Sequence, residues 1–370
     1  MTAQAGMLPG RLEGDATFRS AAVDETTFVL LGEADSHIDE FVLTHPHGQI
    51  YYRPSFLRFL CVLSDQISTG YLVCQNRDEI EGLFPVAVCE SEGRYILNSL
   101  PFFGSHGGAL IRPGPRRDHV ATALQTQFYG LLNTRRIDAY TVVQNLFSEN
   151  LRPAFNEFTY HNEERLGQVT PLQPGWTTIE QLLAAFHQKT RNAARKALKS
   201  GFGIKRARLA DALEQLQRTH ALNMAQIGGR TKPLDVFAKL DSALGASSTS
   251  CYIASKNGRP AAYLLLLYSG DTVEYFTPAI VDEFKSEQPL TALIVEAMMD
   301  ATTSGYRRWN WGGTWPSQEG VYRFKSRFGA CDYPYRYQIG VRDLGLCRES
   351  KEQLAAAFPY FFVLPYSALD

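Results

Sequence analysis

One arrangement of strands and a helix occurs twice along the chain, and this repetition constrains the fold more than any other feature. The first copy consists of three apolar runs separated by polar turns, a stretch with apolar residues at helical spacing, and one more apolar run, at residues 71–74, 83–89, 95–97, 119–133 and 139–143. The second copy has the same members in the same order, at residues 251–254, 261–268, 273–277, 290–303 and 308–311. Apolar runs bounded by turn residues indicate strands, and helical spacing indicates a helix.

The duplication predicts an α/β fold with two tandem domains, each a mixed, mostly antiparallel sheet flanked by helices. The length of 370 residues suits two domains. The glycines and prolines at residues 166–176 indicate a linker between them. We predict a flexible segment at 1–24, domains at 25–168 and 169–345, and a tail at 346–370 that packs on the body of the protein.

Charge and composition exclude several classes of function. The net charge is −1, so no overall field attracts nucleic acid, and DNA is not an expected partner. The six cysteines form no C-x-x-C pair, and the two histidines at 45 and 47 lack further ligands, so no metal site is expected. The N-terminal residues lack the apolar core of a signal peptide. We expect a cytoplasmic protein with at most peripheral membrane contact, through the apolar tail.

A basic segment at residues 189–208 contains no acidic side chain. Arg191, Arg195 and Lys199 recur every four residues and would share one face of a helix. Like charges at this spacing destabilise a helix, so their concentration favours an anionic partner, for which arginine offers bidentate contacts. The alternative is a solvated helix face. The candidate phosphate ligands on this helix are Lys189, Arg191, Asn192, Arg195 and Lys199.

A second segment combines glycines with aromatic and cationic side chains. Residues 309–314 read Trp-Asn-Trp-Gly-Gly-Thr, and a glycine pair at a strand end permits close approach of a ligand or of another backbone segment. Tyr322, Arg323, Lys325 and Arg327 follow, and this mixture suits a pocket for a charged, partly apolar substrate. Core aromatics with surface cations are the alternative interpretation.

Several stretches together resemble the FemAB-like acyltransferases of the GNAT superfamily, which include CelD-like acetyltransferase domains. Residues 189–197 are similar to the family's K-x-x-R-x-x-R-K-A helix, 309–313 to its strand ending in D-F-G-G, and 320–329 to its G-x-x-x-F-K-x-x-F-G run. Residues 98–108 resemble its S-L-P-F…G-G element. The resemblance covers about residues 51–337 and implies two tandem GNAT-like domains, with the catalytic one in the C-terminal half.

Members of this family form amide bonds, so the resemblance implies an enzyme that transfers acyl or aminoacyl groups. It places Lys325 in the active site. Amide formation requires hydrogen-bond donors for the developing oxyanion, which Asn310, Lys325 or the backbone near Gly312 could supply. Glu274 and Tyr275 lie on the strand that carries donor and acceptor contacts in GNAT folds, and strand alternation allows only one of them to face the pocket. The remaining candidate substrate contacts are Gly312, Gly313, Tyr322, Arg230 and His106, the last of which could face a cleft between the domains.

Departures from the family pattern leave the acyl donor open. Asn310 replaces the aspartate of D-F-G-G, so it cannot act as a carboxylate base, and the general base is not assigned. Residues 283–289 lack the glycines of the usual CoA pyrophosphate loop. The chain also lacks the charged coiled-coil hairpin common in tRNA-using members. Acyl-CoA and aminoacyl-tRNA therefore both stay candidates, with no permanently bound cofactor.

The sequence thus predicts an N-acyltransferase that forms an amide on an amino group of a cell-envelope or polysaccharide precursor. The expected acceptor is a phosphorylated small molecule or a lipid-linked glycan, such as a nucleotide- or lipid-linked amino sugar. One alternative is an aminoacyl-tRNA-dependent aminoacyltransferase of peptidoglycan precursors. Another is a non-catalytic GNAT-like module that binds a phosphorylated ligand.

Overall fold

The computed structural model describes residues 24–32, 35–102, 104–148, 158–315 and 318–365. Of the segment predicted to be flexible, residues 1–23 lie outside these ranges. The strands are β1 Asp24–Leu30, β2 Ile67–Asn76, β3 Glu79–Ser91, β4 Arg94–Ser99, β5 Leu110–Ile111, β6 Ala139–Val143, β7 Thr159–Pro171, β8 Gly203–Ala207, β9 Thr249–Lys256, β10 Arg259–Ser269, β11 Thr272–Ile280, β12 Arg308–Thr314 and β13 Cys331–Val341. The α-helices are α1 Asp35–Thr44, α2 Pro54–Leu63, α3 Arg117–Thr134, α4 Ile179–Ala184, α5 Gln188–Leu198, α6 Leu213–Gln226, α7 Leu234–Leu244, α8 Pro289–Thr303, α9 Glu319–Ser326 and α10 Lys351–Ala357.

The chain forms two compact units, each built from separate stretches of sequence. Of the described residues, the first unit takes those up to 41, those in 60–162 and those from 338 onward, and the second takes those in 42–59 and 163–337. The linear domains at 25–168 and 169–345 stay a prediction. The structural units differ from them, because 42–59 joins the second unit and the C-terminal part joins the first.

The first unit has an antiparallel meander of β2, β3 and β4, extended by β1 on one side, while β6 lies parallel to β4 on the other. Helix α3 covers one face of this sheet. Its residues Val120, Leu124 and Phe128 are buried at helical spacing, and the Phe128 ring lies 5.0 Å from that of Phe84. Burial of such side chains stabilises the unit by about 1.5–3 kcal/mol each.

The second unit repeats this plan with the strand order β7-β12-β11-β10-β9-β8. Strands β9, β10 and β11 form the meander, and β12 lies parallel to β11. The meander turns at Asn257 and Gly258, which both have positive φ, as a tight hairpin turn requires. Helix α8 begins with Pro289 in its first turn, where the missing N–H costs nothing. It packs with α5 against one face of the sheet.

The predicted duplication and its strands and helices are confirmed in both units. The region 166–176, by contrast, is not a linker, because β7 runs through it as far as Pro171. Val169 and Thr170 pair with Asn310 and Trp309 of β12, and both are buried. Glycine and proline in this segment indicated a loop, but the neighbouring strand β12 overrides that local preference.

The tail packs into the first unit as far as it is described. Helix α10 begins with a capping box at Ser350, and Phe358, Phe361, Val363 and Leu364 are buried. The backbone N–H of Phe102 donates to the carbonyl of Tyr360 at 2.9 Å. Residues 366–370 lie outside the described part. Within the described ranges, no helix combines the length and the apolar character that crossing a membrane requires.

Candidate active site

Strands β11 and β12 of the second unit separate from each other partway along their length. They pair at Thr272–Arg308, Val273–Trp309 and Glu274–Asn310, and the pairing then stops. Beyond this point β11 continues alongside β10 to Ile280, while β12 follows β7 with a shifted register. Phe276 is an extra residue at a bulge in β11, which bends that strand. Among the described strands, this separation leaves backbone edges of β11 and β12 without a strand partner, and Glu274 and Asn310 lie where the two strands part.

Glu274 is a buried carboxyl group with one engaged oxygen and one unengaged oxygen. Its Oε2 accepts hydrogen bonds from Asn310 Nδ2 at 2.7 Å and from the Tyr51 hydroxyl at 3.3 Å. Its Oε1 has no partner among the described residues. Burial raises the pKa of Glu274 to about 7, although the two hydrogen bonds favour the ionised form. A carboxyl group with this pKa can accept a proton near neutral pH.

Asn310 holds both the Glu274 carboxyl group and the β12 backbone just beyond the last pair that β12 forms with β11. Its Oδ1 accepts a hydrogen bond from the N–H of Gly312 at 2.9 Å. Gly312 has φ +73°, a left-handed conformation that other residues adopt only with strain. At Gly313, a Cβ would lie 2.5 Å from the hydroxyl oxygen of Tyr335. The predicted close approach at this glycine pair is therefore to a side chain of the protein itself.

Tyr275 faces the opposite side of the sheet from Glu274. Its ring lies 4.9 Å from that of Trp311 and 6.3 Å from that of Trp309. These tryptophans are buried in the core beneath α8. Burial raises the pKa of Tyr275 well above its ordinary value, so the phenol stays neutral. Strand alternation thus places Glu274 and Tyr275 on opposite faces of the sheet, and which of the two contacts a substrate stays a prediction.

Lys325 is buried beneath the end of β12, and each of its ammonium hydrogens has an acceptor. Its Nζ lies 2.8 Å from the Gly313 carbonyl, 2.9 Å from Thr314 Oγ1 and 3.2 Å from the Gly312 carbonyl. Burial lowers the pKa of Lys325 to about 8, so the group is mostly charged at pH 7. An oxyanion could receive a hydrogen bond from Lys325 only if one of these three bonds broke.

The predicted cationic face of α5 is turned toward α4 instead of toward Lys325. Arg191 donates to the carbonyls of Leu183, Ala184 and Phe186 at 2.9–3.0 Å and so caps the end of α4. Arg195 forms an ion pair with Glu180 at 2.6 Å. The absence of acids within 189–208 suggested an external anion, but the balancing acid lies on the preceding helix. Convergence of Arg191, Arg195 and Lys199 with Lys325 on one cleft is therefore not observed.

A cleft of about 400 Å³ does open on another side of α5, next to the start of α8 and to α9. Lys189, Arg323 and Arg327 bring positive charge to it, and Phe324 and Phe328 provide apolar lining. None of the described residues that line this cleft is acidic. Among the predicted phosphate ligands on α5, Lys189 lines the cleft.

The other predicted contacts are dispersed. Asn192, Lys199 and Arg230 are exposed side chains. Tyr322, on α9, donates its hydroxyl to Asp332 at 3.0 Å. His106 is buried in the first unit, where its Nδ1 lies 2.9 Å from the Gln144 carbonyl and burial lowers its pKa to about 4. Within the described ranges, no group of three or more His, Cys, Asp or Glu side chains could hold a metal ion.

Sequence reasoning missed Tyr51, Gln288 and Thr291 as site residues. Tyr51 is 223 positions from Glu274 in the sequence, and no local pattern connects the two. Gln288 and Thr291 line the cleft because they flank the start of α8. The signal for both residues was the predicted start of this helix at Pro289, because they lie at its N-cap and in its first turn.

Comparison with known proteins agrees with this architecture. Residues 184–326 match the family described as Acetyltransferase (GNAT) domain. No curated protein matches the sequence. The crystal structure of FemX superposes with a TM-score of 0.66 at 13% identity, covering 85% of this chain and 97% of that one.

Two further solved structures have the same general fold. A tandem GNAT protein from the clavulanic acid biosynthesis pathway gives a TM-score of 0.50 at 12% identity, covering 86% of this chain and 99% of that one. A domain from Agrobacterium fabrum, described as the C-terminal domain of a lysylphosphatidylglycerol synthetase, gives 0.51 at 12% identity, covering 87% and 96%. The chain thus has the fold of two tandem GNAT-like domains, and residues 184–326 are similar to the GNAT acetyltransferase domain family.

Proposed function

We propose that this protein is an N-acyltransferase that transfers an acyl group from a thioester of coenzyme A to a primary amine. The observation that carries this proposal is the position of Glu274, a buried carboxyl group with one unengaged oxygen, where β11 and β12 separate. Asn310 stands where the FemAB-like family has the aspartate of its D-F-G-G motif. Glu274 is the direct strand partner of Asn310, so it supplies a carboxylate at the same level of the sheet.

In the proposed reaction, Oε1 of Glu274 takes a proton from the ammonium form of the acceptor. The neutral amine then attacks the thioester carbonyl, the new C–N bond forms, and the C–S bond breaks. The thiolate leaves and takes up a proton from solvent, and the second amine proton passes to solvent. Glu274 then releases its own proton to solvent, which regenerates the carboxylate and leaves a net release of one proton per amide formed from the ammonium. Backbone N–H groups on the separated strand edges would stabilise the oxyanion, because fixed donors need no reorganisation. Asn310 and Tyr51 would hold Glu274 in position.

The basic cleft beside α8 is the proposed binding site for the phosphates of the donor. Lys189, Arg323 and Arg327 supply positive charge, and the N–H groups at the start of α8 add a favourable dipole. Phe324 and Phe328 would contact the less polar part of the donor. This arrangement favours acyl-CoA over aminoacyl-tRNA, because the cleft has the size of a small-molecule site.

The acceptor is proposed to be an amino group of a cell-envelope or polysaccharide precursor, in line with the FemAB-like resemblance. The Agrobacterium fabrum neighbour, whose description names an envelope lipid, is compatible with this class. An assay with acetyl-CoA and a panel of amino sugars would detect released thiol. Transfer that requires aminoacyl-tRNA and disappears after ribonuclease treatment would instead support the tRNA-dependent alternative.

The rate should depend on pH through Glu274. The carboxyl group acts as a base only when ionised, and its pKa is raised to about 7. We therefore expect kcat/KM to rise with pH below about pH 7 and to level off above it, apart from the titration of the acceptor amine. Rate measurements from pH 5 to 9 should show this inflection in the wild type. Its persistence in Glu274→Gln would assign it to another group.

Two lysines on α5 provide a matched test of the donor cleft. Lys189 lines the cleft, whereas Lys196, also exposed on α5, does not. Lys189→Met should raise KM for acyl-CoA by about tenfold, as the loss of a charge-assisted phosphate contact implies, with little change in kcat. Lys196→Met should leave both constants within about twofold of the wild type. Equal effects of the two substitutions would show only a general influence of surface charge.

A further inference from the structure

A threonine on β11 shares the face of the sheet on which Glu274 lies. Glu274 pairs with Leu267 of β10, and Thr277 pairs with Leu265. Leu265 and Leu267 are two positions apart, so they point to the same side, and their direct cross-strand partners do so as well. Because Phe276 is an extra residue at the bulge, Thr277 points to the same side of the sheet as Glu274 although the two are three positions apart. Two strand positions separate the partners, which corresponds to about 7 Å along the sheet.

Lys232 brings a positive charge to this position. Its Nζ lies 3.4 Å from Thr277 Oγ1 and 5.2 Å from the centroid of the Phe276 ring. The side chain is half-buried, and burial lowers its pKa to about 8. Helix α6, which precedes Lys232 in the sequence, is attached to β11 through Asn223. The Asn223 side chain forms hydrogen bonds of 2.8 Å with both the N–H and the carbonyl of Ile280. The loop that carries Lys232 thus begins from a helix fixed to the same strand.

A buried imidazole lies close to Lys232. His220 is 4% exposed, and neither of its ring nitrogens has a hydrogen-bond partner among the described residues. Burial, and then the charge of Lys232, lower the pKa of His220 to about 4, so the imidazole is neutral near pH 7. Neutral histidine and charged lysine together make a polar, positively charged region on the Glu274 face. Buried polar groups usually have hydrogen-bond partners, so an imidazole without one is compatible with a polar ligand in this region.

We propose that Lys232 binds a carboxylate or phosphate group of the acyl acceptor, about 7 Å along the sheet from the carboxyl group that deprotonates its amine. This inference rests on the proposed function and narrows the acceptor to an amine that carries an anionic group about one sugar ring away. A half-buried ammonium attracts such a group more strongly than a fully solvated one, because the local dielectric constant is lower. Arg230, two positions earlier in the sequence, is exposed, so its charge lacks this partly buried environment.

Binding to the full-length protein, measured by titration calorimetry at pH 7 without an acyl donor, tests this assignment independently of turnover. The probes are glucosamine 6-phosphate, glucosamine and 4-aminobutanoate. At least one anionic amine should bind about tenfold or more tightly than glucosamine, and the tighter of the two identifies phosphate or carboxylate as the preferred group. Lys232→Met should remove this preference, Lys232→Arg should retain most of it, and Arg230→Met should leave it unchanged.

Three results would overturn the inference: equal affinity of wild type for glucosamine and both anionic amines, an unchanged preference in Lys232→Met, or an equal loss in Arg230→Met. Unfolding temperatures of the variants exclude a general loss of structure as the cause. The outcome is separable from that of the proposed function. If Glu274→Gln abolishes acyl transfer while Lys232→Met keeps the preference, only the acceptor assignment fails. If Glu274→Gln transfers at the wild-type rate, the proposed function fails regardless of Lys232.

Discussion

Replacement of Glu274 by glutamine is expected to lower kcat by about 10²- to 10⁴-fold, the usual contribution of a general base. Glutamine keeps the size of the side chain, and its carbonyl can still accept the hydrogen bonds that Asn310 and Tyr51 donate. It cannot take the proton of the amine. Folding should be unharmed, because a neutral amide suits a buried site better than a carboxylate does. Initial rates with saturating acyl-CoA and amine, together with the unfolding temperature, measure both effects.

Glu296 of α8 is the matched control for this substitution. It is another partly buried carboxyl group of the second unit, and burial followed by the charge of Asp300 raises its pKa. It lies on the helix side of the sheet, away from the strand separation. Glu296→Gln should therefore leave kcat within about twofold of the wild type. If the two variants lose activity equally, or if Glu274→Gln loses none, Glu274 is not the base.

Replacement of Lys325 by methionine is expected to lower the free energy of unfolding by about 3 kcal/mol. The ammonium bonds to three acceptors at the end of β12, and its removal leaves the carbonyls of Gly312 and Gly313 and the hydroxyl of Thr314 without this donor. An unsatisfied buried acceptor costs about 1–3 kcal/mol, and partial relaxation with water entry reduces the sum. Urea denaturation of the variant and the wild type measures the difference.

Lys239→Met provides the comparison for Lys325. Lys239 forms an exposed ion pair with Asp235 on α7, so its loss should cost less than about 1 kcal/mol. Activity of Lys325→Met should fall as well, because the end of β12 lies beside the strand separation. These bonds imply that Lys325 holds the end of β12 in position. A variant as stable as the wild type, yet with strongly reduced kcat, would contradict this positioning role and indicate that Lys325 takes part in the chemistry.

The sequence was sufficient to predict the repeated unit because strand alternation and helical spacing are local properties. The runs at 83–89 and 261–268, for example, correspond to β3 and β10. The region 166–176 was misjudged because its strand character depends on β12, which lies far away in sequence. The composition of the two compact units could not be predicted from local sequence patterns either. Nothing local indicates that residues 42–59 belong with the second half of the chain.

For the site, local charge patterns and the family resemblance identified the residues better than they identified the partners of those residues. Glu274, Asn310, Lys189 and Lys325 were all candidates, and each lies at the strand separation, at the basic cleft or beneath the end of β12. The role of Arg195 was misjudged because Glu180 lies outside the segment whose charges were counted. Tyr51 gave no signal, since a hydrogen bond to Glu274 requires the folded chain to bring distant segments together.

The two copies of the repeated unit differ at one point that affects how many reactions a chain can perform. In the first unit, β4 and β6 pair from Ile96–Ala139 to Ser99–Val142, and both strands end there or one residue later. In the second, β11 and β12 continue past their last pair and diverge. Among the described residues, only the second copy therefore has parallel strands that diverge beyond their last pair. The scaffold is therefore present twice, whereas the proposed reaction has one site per polypeptide.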